Sequence, residues 1–596
     1  MLEVDEKTKK RVKRGILRRR KNAVTLGGRA DLQIEQLLIR RFERLISVRR
    51  FIFLWVSLFI ILIFLGAYQL RDLSTYYQSQ QPIPGGIYHE GIVGTFTNSN
   101  PLFAAGTANT AVSRLVFSGL FKYNVNNKLV GDLATGWNLN EQQTTYIVGL
   151  KNDITWQDGT KFTADDVVFT YKAIQDPETQ SVLYANWKDI KVTKLNDFAV
   201  IFELPNSLSS FPYALTDGII PNHLLKDTPH TQLRSATFNA SPVGTGPFEW
   251  RFVETIGTGT PQREQRISLT PFEKYWEGRP KLNGFNLLAF TDEQYLLAAF
   301  KKKQLNAMSG LENLPKDLAK DSSIKTYNTP LTSTIMAFFN NSKPIYDDVN
   351  VRKALVAGVE RNKVIELFSF PVKLANSPLL PAQLGYDPTL TQIPYNFDQA
   401  NKLLDTAGWV KDENGQRQKN GKPLVINMRA QETQEYTKVA DFLQREWQKL
   451  GAKVAIQYHT SEDLQSLVIA NHEYEVLLYG ISLGVDPDVY AYWDSSQASV
   501  GSQGRLNLSE YKSAAADQAI ESARTRADQA TRTIKYKAFL TEWVKDAPAL
   551  ALYQPNSLYV ARNVVFNYER KSSNSSADRF YNVHQWMIRQ QKQKIL

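Results

Sequence analysis

The chain has 596 residues, ample for a large folded body with more than one lobe. It contains no cysteine, which excludes disulfides, thiolate metal sites and a cysteine nucleophile. Its formal charge of +12 is confined to one end: residues 1–50 hold 16 Lys or Arg against 6 Asp or Glu, and the rest carries only about +2, no footprint for nucleic acid.

Residues 51–70 (FIFLWVSLFIILIFLGAYQL) are 20 residues without a charge, the length that crosses a hydrocarbon core of about 30 Å. Arg40, Arg41, Arg44, Arg49 and Arg50 lie upstream and orient the N-terminus towards the cytoplasm. The expectation is an uncleaved single-pass anchor, because a secretory signal has a far shorter basic region and Gly66-Ala67-Tyr68 is a poor cleavage site. Residues 1–50 then read as a basic cytoplasmic tail lying against anionic headgroups. Leu37, Leu38, Phe42 and Leu45 give part of it the character of an interfacial helix. Residues 71–84, polar and rich in Gln, Ser and Pro, read as a spacer.

From Gly85 onward, strand and helix patterns alternate without a low-complexity break. Gly86 to Gly94 reads as a strand, and Thr110 to Leu120 has helical spacing through Val112, Leu115, Val116 and Leu120. Trp156 to Thr170 reads as a strand end, a tight turn at Asp158-Gly159, then a helix capped by Thr163 with Asp166 three residues on. Val167, Val168, Tyr171 and Ile174 form its apolar stripe. Further on, Asn396 to Ala407 and Glu435 to Leu450 read as helices closed by Gly408 and Gly451. Ala452 to Tyr458 and Tyr474 to Ile481 read as strands. This order predicts mixed α/β and α+β lobes rather than a sandwich, barrel or bundle.

The Trp156-Gln157-Asp158-Gly159 turn leading into Phe162-Thr163-Ala164-Asp165-Asp166-Val167 resembles the family 5 solute-binding proteins, the dipeptide and oligopeptide receptors of ABC importers. Other landmarks agree in order: Asn100-Pro101-Leu102 with Leu115 to Leu120, Asp132 to Trp137, Val243 to Phe248, Tyr275 to Pro280, Asp347 to Leu355 with Glu360-Arg361, Asp486-Pro487-Asp488 and Asp546-Ala547-Pro548. Gly131 stands where proline is usual, and Glu360 where aspartate is. The resemblance covers roughly 84–590 and implies a two-lobed, periplasmic-binding-protein-like clamp of the large peptide-binding class, with an extra small subdomain. The implied layout is a first lobe over 85–330, a second over 331–552 and a return to the first over 553–596. Two chain crossings make a hinge, and ligand contacts in the cleft close it.

Residue by residue, the resemblance puts Ala105, Gly106 and Thr107 against the ligand backbone, Thr245 at a polar contact, and Tyr184 and Trp187 near one ligand end. It makes Tyr479, Gly480, Ile481, Ser482 and Leu483 the main contact strand of the second lobe, where an extended ligand adds as a strand. Asp486, Tyr490 and Trp493 follow. From the residues alone, Gly244-Thr245-Gly246 is a turn, Tyr490, Tyr492 and Trp493 are either stacking platforms or half-buried aromatics, and Asp486 and Asp488 are helix caps or ligand acids. Positions 481–484 read Ile-Ser-Leu-Gly, without the carboxylate that relatives holding free peptides place there for the α-ammonium. An unpaired ammonium in a dry cleft is costly, so either Asp486 substitutes or the ligand is a longer peptide, an oligosaccharide or another neutral solute.

The expected function is a monomeric, membrane-anchored receptor with its binding domain outside the cytoplasm, delivering oligopeptides more than dipeptides to a permease and ATPase. An enzyme, for instance an anchored hydrolase, is the rival class. Against it, His89, His223, His230, His459, His472 and His584 show no HExxH or other ligand spacing, and no Gly-x-Ser-x-Gly elbow occurs. No cofactor and no metal are expected. A sensor signalling through residues 1–50 is disfavoured, because that tail contains no recognisable domain.

Overall fold

The computed structural model describes residues 49–594 apart from 77, 258–262, 312–313, 369–371, 382, 461–462, 500–505, 527, 563–564 and 570–573, together with part of 10–18. The basic tail expected over 1–50 lies almost wholly outside the described residues. Two compact units form: 1–81 with 590–596, and 82–589.

In the first unit, Arg49–Tyr76 is one helix of 28 residues. Its described apolar side chains are exposed, Phe53 to 76% and Phe64 to 74%. Among the described residues no helix is long and apolar enough to cross a membrane; the side chains of Ile52 and of Leu70 onward, inside the expected span, lie outside them. The span over 51–70 is thus not borne out here. Nor is 71–84 a structureless spacer. With no Gly or Pro between Ala67 and Tyr76 the helix continues to Tyr76, and Gln78–Ile83 is a strand.

The second unit holds two principal sheets, each with its own core. The first has seven strands in the order Ile324–Pro330, Asn556–Arg562, Ala307–Ser309, Ile87–Val93, Gly284–Phe290, Glu264–Pro271 and Phe248–Ile256. Ile87–Val93 runs parallel to both neighbours, and the sheet is otherwise antiparallel. The second has six strands in the order Lys373–Leu374, Ala549–Gln554, Ser333–Phe339, Val476–Ser482, Val425–Gln431 and Lys453–His459. Here the strand–helix–strand unit Val425–Gln431, Gln434–Lys449, Lys453–His459 is parallel, and the amphipathic helix buries Val439, Phe442, Leu443 and Trp447 against the sheet.

A smaller four-stranded antiparallel sheet (Ala134–Leu139, Thr145–Leu150, Ala199–Glu203, Lys191–Asn196) carries the helix Ala164–Gln175. That helix starts with the capping box read from sequence, Thr163 and Asp166 each bonding the other's backbone. Val167, Tyr171 and Ile174 are fully buried beneath it. Gly159 adopts a φ of +89°, as the turn after Trp156 requires.

The chain crosses from one principal sheet to the other twice. It leaves through Leu331-Thr332 and returns through Pro555, and the two crossings are tied together: Leu331 N–H donates to the Pro555 carbonyl (2.9 Å) and the Gln554 amide to the Leu331 carbonyl (2.7 Å). The return therefore falls after Gln554 rather than at 553, because Tyr553 and Gln554 still belong to the six-stranded sheet.

Candidate functional site

The strand Val476–Ser482 lies between Ser333–Phe339, which pairs with its whole length, and Val425–Gln431, which pairs only with Val476, Leu477 and Leu478. Past Leu478 the strand keeps one partner, so Tyr479–Ser482 presents an open edge. The Gly480 amide on this stretch donates to the hydroxyl of Tyr436. A Cβ on Gly480 would come within 2.7 Å of Ile335 Cδ1 and 3.1 Å of the Tyr436 hydroxyl, so a larger residue would have to displace these side-chain ends. Ser482 is exposed, while Tyr479, Leu483 and Tyr490 are half-buried. Tyr479 is fixed through its hydroxyl by Gln465. Leu483 N–H donates to the Thr332 carbonyl (3.3 Å), and Thr332 in turn donates to Asn574 (2.7 Å), so the end of this edge meets the chain crossing.

On the other lobe, Ala105, Gly106 and Thr107 are exposed. Gly106, at a φ of +80°, caps the helix Thr107–Val116, and Thr107 donates to the Val93 carbonyl (2.6 Å). Tyr184 is half-buried in the short helix Tyr184–Trp187.

Five of the expected contact residues are placed differently. Trp187 is fully buried, stacked on Tyr171 at 4.0 Å and packed on Phe202 and Phe211. Trp493 is equally buried, between Phe338, Phe539 and Trp543. Ile481, only 2% exposed, points into the same core. Thr245 is buried too, its hydroxyl without a partner among the described residues. Neither tryptophan nor Ile481 offers its side chain to a ligand; large apolar surface is held by the cores instead. Asp486 is no substitute for the missing ligand acid, since both its oxygens are taken by the buried Arg532, one at 2.7 Å. Asp488 is bonded to Arg524 (3.0 Å) and accepts from the Tyr490 amide (3.3 Å), but Val489, not Asp488, is the N-cap of the short helix Tyr490–Trp493.

The motif around Trp156 has a role the sequence did not disclose. Gln157 clamps the loop carrying Thr245: its side-chain oxygen accepts from Gly244 N–H (2.8 Å), and its amide donates to the carbonyls of Gly246 (3.2 Å) and Phe248 (2.8 Å). Gly244 and Gly246 pass so close to Val116 that a Cβ would fall 1.8 Å and 2.6 Å from its backbone.

Two other landmarks meet in one half-buried cluster. Trp276 donates to Asp132 (3.0 Å), Lys122 pairs with Glu277, and the Lys151 ammonium sits over the Trp276 ring. His584 closes this cluster, its imidazole driven down to about 4 by burial, with Glu277 opposing and Lys122 and Lys281 assisting. The fold therefore holds the neutral ring, while the unfolded chain takes up a proton near pH 6.5. The stability from this residue is full above pH 6.5 and is lost as the pH falls towards 4. Urea unfolding between pH 7 and 4.5 should show a loss of up to ~3 kcal/mol from this source, and His584→Gln should flatten that slope.

Arg524, Arg532 and Tyr436, which position this region, were not singled out in the sequence. Tyr436 sits on the helix read from sequence, whereas Arg524 and Arg532 sit on or at the end of helices that were not read, and no local pattern tells a buried charge from a solvated one.

A family model described as bacterial extracellular solute-binding proteins, family 5 middle, matches residues 128–503. The oligopeptide-binding protein AppA of Bacillus subtilis is 26% identical over 524 residues, covering 85% of this chain and 92% of AppA. The solved structure of Bacillus subtilis AppA in complex with a nonapeptide shares the fold with a TM-score of 0.68 at 24% identity, covering 85% of this chain and all of that one. NikZ from Campylobacter jejuni, solved in complex with Ni(L-His), does so with a TM-score of 0.70 at 24% identity, covering 84% and 99%. The mixed α/β, two-lobed periplasmic-binding-protein-like architecture is thus common to all three.

Proposed function

Because the chain belongs to the bacterial extracellular solute-binding proteins of family 5, we propose that it is the receptor of an ABC importer, holding peptides between its two lobes and delivering them to a permease. The observation that carries this reading is the edge Tyr479–Ser482, where Tyr436 holds the Gly480 amide and the rest of the unpaired backbone is left to accept an extended chain by strand addition. The paired crossings at Leu331 and Pro555 supply the hinge for closure around it.

Oligopeptides suit the site better than dipeptides. With Ile481 to Gly484 uncharged, and Asp486 and Asp488 committed to Arg532 and Arg524, no free carboxylate on this strand faces an α-ammonium. A longer peptide keeps that charge in water and binds by its middle. The half-buried rings of Tyr479, Tyr490 and Tyr492 favour a second reading, an oligosaccharide stacked on aromatic faces. Homologues of this chain are binding proteins, and binding without catalysis is the role proposed here.

The membrane anchor belongs to the same proposal. A 28-residue helix reaches about 42 Å, its described apolar side chains point outward on every side, and a helix apolar all round needs a nonaqueous surrounding. On this reading the basic tail is cytoplasmic and the two-lobed body lies outside.

Affinity isolation of the full chain from membranes in mild detergent tests both points. The chain should sediment with membranes, resist alkaline extraction, and bring down a permease and an ATPase. Repeated recovery of neither subunit would contradict the importer reading, and alkaline release of the intact chain would contradict the anchor.

A further inference from the structure

Arg524, the last residue of the helix Ala514–Arg524, is held from several directions. Its carbonyl accepts from the amide (3.0 Å) and the hydroxyl (2.9 Å) of Ser209, and the next carbonyl, of Thr525, accepts from the Ser207 hydroxyl (3.1 Å). Its Nε donates to Asp488 (3.0 Å), and its guanidinium lies 4.3 Å from the centre of the Tyr490 ring. Asp488 is itself steadied by the Ser210 hydroxyl (3.4 Å) and the Tyr490 amide (3.3 Å). The two terminal nitrogens, Nη1 and Nη2, have no partner among the described residues.

The same arginine borders a cavity of about 430 Å³, between the segment 186–214 and the second lobe. Asn186, Asn206 and Ser210 bring polar side chains to its wall, and Phe211 an apolar face. We propose that the free Nη1/Nη2 edge of Arg524 is a subsite for a carboxylate of the bound ligand. This inference rests on the peptide reading above and deepens it.

The geometry is that of a fork already set. Asp488 occupies the Nε side and Tyr490 a ring face, which leaves the planar edge that matches a carboxylate with two parallel hydrogen bonds. Because both the backbone and the guanidinium are fixed before the ligand arrives, little side-chain entropy is lost on binding. Asp488 is neutralised by this arginine, and Asp189, which also borders the cavity, is exposed, where its repulsion is screened. The site therefore complements the strand edge: main-chain pairing holds the middle of the ligand, and the fork holds an acid.

Two sources could supply that acid, the C-terminus of a peptide or an Asp or Glu side chain. The full chain, purified in detergent, is titrated calorimetrically with four mixtures of nine-residue peptides: free acids or C-terminal amides, each made with or without Asp and Glu. The free acids containing Asp and Glu should bind about tenfold or more tightly than amides lacking acidic residues. Arg524→Gln should bring that ratio to about one with the melting temperature unchanged, and Arg524→Lys, which keeps the charge but not the fork, should leave a smaller ratio. If amides containing Asp and Glu match that mixture, side chains are the source; if free acids lacking Asp and Glu match it instead, the terminus is. Equal affinity for all four mixtures, or a ratio that survives in Arg524→Gln, would overturn the subsite while leaving the peptide reading standing. Binding of none of the four would overturn the peptide reading, and the subsite with it.

Discussion

Asp486→Ala should cost about 3–5 kcal/mol of stability, because it leaves a buried guanidinium without its counter-charge. Arg532 and Asp486 are both almost wholly buried, and Asp486 takes two of the arginine's donors. What remains to Arg532 is one carbonyl, that of Ala523 at 3.0 Å, and the Tyr536 hydroxyl at 3.3 Å. Neither carries charge. Urea unfolding should show the loss as a shift in midpoint, and the double change Asp486→Ala with Arg532→Met should recover most of it, since no charge is then buried. A loss below about 1 kcal/mol for the single change would mean that Asp486 is not the partner that makes Arg532 tolerable, and would return it to the pool of ligand-facing acids.

A loss of similar size is expected for Arg579→Met in the other lobe. Glu90, fully buried on Ile87–Val93, is held by Arg579 from the 3-10 helical segment Ser576–Gln585, by the Tyr559 hydroxyl (3.0 Å) and more weakly by Ser309 (3.4 Å). Tyr559 is bonded in turn to Tyr88. These groups tie the C-terminal return to a central strand of the seven-stranded sheet. Removing the guanidinium strands a carboxylate in a dry core, at a cost of about 3–5 kcal/mol. Adding Glu90→Gln should restore much of it, because an amide can still accept from Tyr559. If the single variant unfolds with the wild-type midpoint, the C-terminal segment is not anchored through this pair.

What the sequence discloses divides along one physical line. Local features were legible because local rules set them: the capping box at Thr163, the amphipathic helices 397–406 and 434–449, and the alternating strands all lie within three residues of their expected places. The family landmarks were legible as well, but not their purpose. Gln157 clamps a loop near residue 245, and Asp132 meets Trp276, through contacts no periodicity reveals. The site suffered most. Asp486 and Arg532 are 46 positions apart and Glu90 and Arg579 are 489 apart, so each looks in isolation like a solvated charge. Trp187, placed near a ligand end by the resemblance, and Trp493, open between a stacking platform and a half-buried ring, failed as contacts for the converse reason: an aromatic near a cleft and one beneath it have the same local sequence. The strand edge at 479–482 was placed correctly on its strand, but that Gln431 ends the neighbouring strand short of it is a matter of register, visible only in three dimensions.

Native mass spectrometry of the full chain, purified from its own cells and released from detergent in the spectrometer, bears most directly on what the cleft holds. A peptide receptor of this kind should carry a ladder of bound masses separated by amino-acid residue masses, extending well beyond tripeptides, and the ladder should be displaced by an added nine-residue peptide. A series spaced by hexose units, or an empty cleft that takes up no added peptide, would contradict the account.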